Sequence, residues 1–159
     1  MDLSAARILV VEDHRQMTEL LRSVLVSLGC RDLETAATVE EGWNLLETRA
    51  FDLLIVDRNL EGGDGLELVR RIRRPGDSPA AFLPILMLTG SGERSVVYAA
   101  RDAGVSEYLV KPFTVARLVD RLNVLIHRPR PFVQAERYFG PDRRRRQEPD
   151  YRGRERRRG

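Results

Sequence analysis

The sequence predicts a doubly wound α/β domain, on three observations. Three runs, RILVVE (7–12), DLLIVD (52–57) and PILMLT (84–89), each hold four consecutive apolar residues between turn or charged residues. That is the pattern of parallel strands covered on both faces. Segments of helical period separate the runs, and each run ends in a polar residue.

The first strand leads into residues 15–28, where Met17, Leu20, Leu21, Val24, Leu25 and Leu28 recur at three- and four-residue spacing until Gly29 stops the helix. Weaker strands are expected at DLETAA (32–37) and SEYLV (106–110), and further helices at 39–49, 65–74, 93–103 and 114–126. A strand–helix unit repeated five times with parallel, doubly covered strands predicts a five-stranded parallel sheet of flavodoxin-like type, strand order 2-1-3-4-5, with five helices and right-handed crossovers.

Length and charge divide the chain. Its 159 residues suffice for one ordinary core and an appendage. Residues 1–127 carry 15 basic against 19 acidic side chains, whereas 128–159 carry 12 against 5, so the basic character belongs to the tail. The tail opens with RPRP, which is hostile to helix, and the boundary is therefore expected near His127: a domain over 5–127 and an Arg-rich extension over 128–159. Neither an apolar run of membrane-spanning length nor a signal-like N-terminus is present, so a cytoplasmic protein without membrane partners is expected. Cys30, the sole cysteine, reads as a small apolar residue near a strand start.

Chemistry in such sheets gathers beyond the carboxyl ends of the strands. There this chain places Glu12 and Asp13 after the first strand, Asp57 at the end of the third, Thr89 at the end of the fourth, and Lys111 just past the fifth. Three converging carboxylates repel one another unless neutralised, and an all-oxygen cluster suits a hard divalent cation such as Mg²⁺. Lys111 is the only lysine beside 26 arginines. A compact ammonium on a flexible stem can follow an anion that changes position, which a planar guanidinium does less well.

In order along the chain, VVEDH, LLIVDRNLEGGDGLEL, ILMLTG and EYLVKPF resemble the motifs of the receiver domain of bacterial two-component response regulators, the chemotaxis-type phosphoacceptor fold, over roughly residues 5–127. The resemblance implies that Asp57 accepts a phosphoryl group from a histidine kinase or phosphotransfer protein, forming an acyl phosphate. It implies that Glu12, Asp13, Asp57 and the backbone carbonyl of Asn59 hold Mg²⁺ or Mn²⁺. Thr89 then donates its hydroxyl to a phosphoryl oxygen, Lys111 reaches the same group, and Tyr108 is the aromatic that turns inward when Thr89 moves. A cis peptide is implied between Lys111 and Pro112. Such a protein is a phosphoacceptor with slow self-dephosphorylation rather than an enzyme, read out by a downstream protein partner and in many relatives by a phosphorylation-linked homodimer.

Leu60 and Glu61 stand where the family most often has methionine and proline, and Gly90 where it most often has alanine. None of these removes a reacting group; Gly90 leaves room beside the phosphoryl site. A haloacid-dehalogenase-type hydrolase shares aspartyl-phosphate chemistry, but its nucleophile is not on the third strand and Asn59 stands where it needs a second aspartate. His14 is expected to be a solvent-facing helix start, Trp43 to pack along a helix flank, Arg70, Arg71, Arg73 and Arg74 to form a solvated helix end, and residues 74–84 a surface loop.

In the tail, YFGPDRRRR (138–146) and YRGRERRRG (151–159) align at an offset of 13, matching Tyr138 with Tyr151, Gly140 with Gly153, and Asp142 with Glu155. Its few apolar residues suggest a solvated extension. The alternatives are a recognition segment that docks Phe132, Val133 and the tyrosines, or an arginine-rich nucleic-acid contact that makes the protein a regulator gated by its first domain.

Overall fold

The computed structural model describes residues 1–76, 78, 80–128, 131–135 and 138–143, so the second tail repeat, with Tyr151, Gly153 and Glu155, lies outside the described residues. The main sheet contains β1 (Arg7–Val11), β2 (Asp32–Ala36), β3 (Leu53–Asp57), β6 (Ile85–Thr89) and β7 (Glu107–Val110). All its pairings are parallel, in the order β2-β1-β3-β6-β7, the predicted topology. Five helices lie among the described residues: α1 (Arg15–Ser27), α2 (Val39–Thr48), α3 (Gly65–Arg73), α4 (Arg94–Ala103) and α5 (Val115–His127). Two short strands, β4 (Asn59–Leu60) and β5 (Gly63–Asp64), form a miniature hairpin directly after β3, and β8 (Phe132–Ala135) pairs antiparallel with β9 (Tyr138–Pro141).

Alternation along the strands divides the core into two layers. Ile8, Val10, Leu53, Ile55, Leu86 and Leu88 face α1 and α5, meeting Leu21, Leu25, Leu118 and Leu122. Leu9, Val11, Leu54, Val56, Ile85 and Met87 face the other side, meeting Trp43 and Leu46 of α2, Leu68 and Ile72 of α3, and Ala100 of α4. Because β3 and β6 are buried over their whole length, their apolar runs are continuous rather than alternating. The helix starts follow the sequence chemistry: Thr38, Asp64 and Thr114 accept backbone amides of Glu41, Leu66 and Arg117 at 3.1, 2.9 and 3.2 Å. Gly29 follows α1 with φ +95, a left-handed conformation suited to glycine.

Trp43 is buried along α2 as expected, donating its indole N–H to Glu47 Oε1 at 2.6 Å. One expectation fails. Arg73 is not part of a solvated helix end: it is 3% exposed, donating to Gly104 O at 3.0 Å, Ala81 O at 2.9 Å and Ser106 Oγ at 3.3 Å. Burial lowers its pKa to about 10, which still leaves it charged at neutral pH. The signal was present, since Arg73 continues the stripe of Leu66 and Val69 at helical spacing. Its guanidinium also lies 4.9 Å from the ring centroid of Phe132, and Phe82, Phe132 and Phe139 form a ring cluster with centroids 5.1–5.7 Å apart. The first part of the tail thus folds back near the amino ends of β6 and β7, where Arg143 pairs with Asp102 of α4 at 2.6 Å. No helix among the described residues is long and apolar enough to cross a membrane.

Gly65 fixes how closely α3 approaches the end of β3. A Cβ there would overlap the carbonyl oxygen of Asp57 and crowd Arg58 Cα at 3.1 Å, whereas one at Gly90 would meet only Asn59 Nδ2 at 3.9 Å. Urea unfolding is expected to show Gly65→Ala destabilised by about 1–3 kcal/mol, because backbone must move. Gly90→Ala should stay within about 0.5 kcal/mol of the native chain.

Candidate functional site

Parallel register brings the site together. Val11 lies beside Val56, Asp57 beside Leu88, and Thr89 beside Val110, so the residues just after each strand emerge at one edge. Glu12 continues the ladder through its amide to Ala36 O at 2.9 Å, and the Lys111 amide reaches Thr89 O at 2.7 Å. The Lys111–Pro112 peptide is cis, as expected.

Asp57 and Glu12 are buried, at 2% and 4% exposure, and Lys111 stands between them. Its Nζ is 2.7 Å from Asp57 Oδ2 and 3.4 Å from Glu12 Oε2. The other Asp57 oxygen accepts the Asn59 amide at 3.1 Å. For Lys111 the largest influence is burial, which disfavours the ammonium, but its hydrogen bonds and attraction to Asp57 and Glu12 outweigh it and raise the pKa above the ordinary lysine value. Burial, reinforced by the Asp57 charge, pushes Glu12 above the ordinary glutamate range despite the His14 amide and Lys111.

Asp13 is poised differently. Burial is again the largest single influence and acts upward, but backbone donors led by the Glu61 amide bring its carboxyl below the ordinary range. That amide donates to Asp13 Oδ2 at 2.6 Å. Asp13 Oδ1 is buried with no hydrogen-bond donor, although the His14 ring nitrogen stands 3.1 Å away, close enough for charge attraction but poorly directed for a bond. One ligand atom each from Glu12, Asp13, His14 and Asp57 lie within 4.8 Å of one another. The three carboxylates and the unpaired Oδ1 suit a hard divalent cation. The His14 ring, 72% exposed at the start of α1, is the surface group the sequence suggested.

Thr89 ends β6, 4% exposed, its hydroxyl 3.3 Å from both the carbonyl and the amide of Ser91. Tyr108 is half-buried against the α2–α3–α4 layer beside Met87, and so on the same sheet face as Thr89 two residues further along β6. Two participants escaped sequence reasoning. They are the Asn59 and Glu61 amides, because main-chain donors carry no residue signature.

The response regulator receiver domain family matches residues 8–123. The chain belongs to that family. It is 33% identical over 122 residues to chemotaxis protein CheY-3 of Vibrio cholerae serotype O1, covering 77% of this chain and 92% of that protein. It is 36% identical over 121 residues to chemotaxis protein CheY1 of Helicobacter pylori, covering 76% and 96%. Among solved structures, Vibrio cholerae chemotaxis protein CheY4 superposes with a TM-score of 0.69 at 29% identity, over 76% of this chain and 98% of that one. A receiver is a signalling domain, consistent with a phosphorylation-dependent switch; the nucleic-acid alternative raised by the basic tail gains no support from these relatives.

Glu12 carries a testable cost. Its folded pKa is raised, so the native state holds its proton more tightly than the unfolded chain. The associated stability is fully present below the ordinary value of 4.5 and is lost as pH rises through the higher folded value. Without divalent cation, Glu12→Gln is therefore expected to be more stable than the native chain at pH 7, with the gap closing toward pH 4 in thermal melts. Added Mg²⁺ should stabilise the native chain more than the variant.

Proposed function

We propose that this receiver is switched by phosphorylation of Asp57, with a histidine kinase or phosphotransfer protein as donor. The observation that carries the proposal is the Lys111 ammonium held between the buried Asp57 and Glu12 carboxylates, beside the unpaired Asp13 oxygen. An Asp57 carboxylate oxygen attacks the phosphorus of the donor's phosphohistidine; the O–P bond forms as the N–P bond breaks, and its electron pair leaves on the imidazole nitrogen.

Glu12, Asp13, Asp57 and the Asn59 carbonyl would hold Mg²⁺ or Mn²⁺, which supplies positive charge against the incoming phosphoryl oxygens. Lys111 moves its ammonium from the Asp57 carboxylate to a phosphoryl oxygen. Thr89 exchanges its long contacts with Ser91 for a bond to that group, and Tyr108, on the same sheet face, follows it inward. Solvated output groups such as Tyr98 and Val115, each 50% exposed, lie on the α4–β7–α5 side, where a downstream protein or a second phosphorylated copy would dock. On this reading residues 5–127 are the receiver, acting in the cytoplasm as a phosphoacceptor rather than an enzyme, and 128–159 are an extension.

Intact-protein mass spectrometry after incubation with acetyl phosphate and Mg²⁺ tests the reaction. The native chain should gain one phosphoryl group and Asp57→Asn none. Lys111→Ala should form the adduct about 10²-fold more slowly, since a preorganised charge is lost, and Lys111→Arg should change its formation or lifetime. A native chain that forms no adduct and binds no beryllium fluoride would sink the proposal.

A further inference from the structure

We infer that the β8–β9 hairpin is a strap that holds the carboxyl end of α4, so that the stability of that helix's last turn depends on the hairpin being docked. The inference rests on contacts within the chain and stands whether or not Asp57 is the phosphoacceptor.

α4 has little of its own to hold it against the sheet. It buries Ala100 and Ala103, whereas α3 buries Leu66, Leu68, Val69 and Ile72. With so little apolar surface removed from water, its end is a place where local opening costs little. The residue that caps it, Gly104, is left-handed at φ +101 and gives its carbonyl to Arg73 Nε at 3.0 Å. The end of α4 therefore leans on Arg73, and Arg73 leans on the hairpin.

Three parts of the hairpin converge there. Phe132 of β8 covers the Arg73 guanidinium, its ring centroid 4.9 Å away. Gly140 of β9 brings main chain against main chain: a Cβ at that position would stand 3.2 Å from Gly104 Cα and 2.7 Å from the Tyr138 hydroxyl. Arg143, just past β9, pairs with Asp102 in the last turn of α4 at 2.6 Å and lies 4.4 Å from the ring centroid of Tyr138. Tyr138 is itself buried and donates its hydroxyl to Pro141 O at 2.6 Å, which fixes the ring against its own strand. The two side chains of the ion pair are 48% and 66% exposed, so the pair guides the strap more than it holds it. The hold comes from the close approach at Gly140 and the cover over Arg73. Tyr98 lies about one turn before Asp102 on the same helix, so the strap also steadies the surface where a partner would dock.

Residue-resolved amide hydrogen exchange on the full chain tests the strap, comparing the native protein with Gly140→Ala, Phe132→Ala and Arg143→Ala. Gly140 is not at positive φ, so alanine there acts through its Cβ alone. The amides of Gly104 and Val105, bonded to Arg101 O and Ala100 O, are the reporters, and the helical amides of Leu25 in α1 and Leu46 in α2 are the reference. In Gly140→Ala and Phe132→Ala the reporters are expected to exchange about 10-fold faster with the reference unchanged, the scale of one lost desolvated cation–aromatic contact. Arg143→Ala should stay within about threefold. Unchanged reporters in variants whose hairpin amides have lost protection overturn the inference, because the hairpin then leaves without freeing α4. Hairpin amides that keep full protection in both variants, or lack it in the native chain, overturn it too. So does a reference that accelerates as much as the reporters, which marks a global loss of stability. Should Gly140→Ala fail to fold, Phe132→Ala, which only removes atoms, decides by the same criteria.

Discussion

The 2.7 Å contact between Lys111 Nζ and Asp57 Oδ2 is the interaction on which the rest of the site depends. Two carboxylates buried this deeply would otherwise repel each other in a medium that screens poorly. One ammonium serves both, reaching Glu12 at 3.4 Å, and Asp57 gains a second donor from the Asn59 amide. The arrangement is balanced without being saturated: Glu12 is still held above its ordinary protonation range, and one Asp13 oxygen has no donor. A site in that condition favours the arrival of positive charge.

Rigid backbone makes the balance reproducible. Asp57 closes β3, whose five residues are all buried, and Gly65 lets α3 press against its carbonyl group. The β4–β5 hairpin then carries Asn59 to one side of Asp57 and Glu61 to Asp13, so a loop of six residues supplies amides to two different carboxylates. Main-chain donors lose less freedom than side chains on being fixed, which suits a pocket of closely spaced charges.

The opposite end of the sheet is organised by another cation. Arg73 is buried among neutral acceptors from Ala81, Gly104 and Ser106, and Phe132 covers its guanidinium. It thereby joins the end of α3, the α4–β7 connection and the start of the β8–β9 hairpin. Lys111 sits among carboxylates and is held above its ordinary pKa; Arg73 sits among dipoles and is held below it. The contrast follows from environment, not from residue type.

The strand runs, the helix periods and the polar residue after each strand were legible in the sequence because each is a local pattern with a period or a position. Glu12, Asp13, Asp57, Thr89 and Lys111 could be named as converging because parallel strands with right-handed crossovers leave their carboxyl ends at one edge. Arg73 was misjudged because a run of arginines at a helix end looks solvated until the segment that covers it is known. Docking of Phe132 was one of the alternatives the tail offered, but its pairing into a hairpin and its partner Phe82 were not legible, nor was the Glu61 amide, because which distant segments meet decides both. Sequence alone determined the chemical groups and the edge of the sheet at which they gather. Tertiary structure decided which oxygen each donor takes, because hydrogen bonds are directional over a few tenths of an ångström and only the folded backbone sets distances that finely.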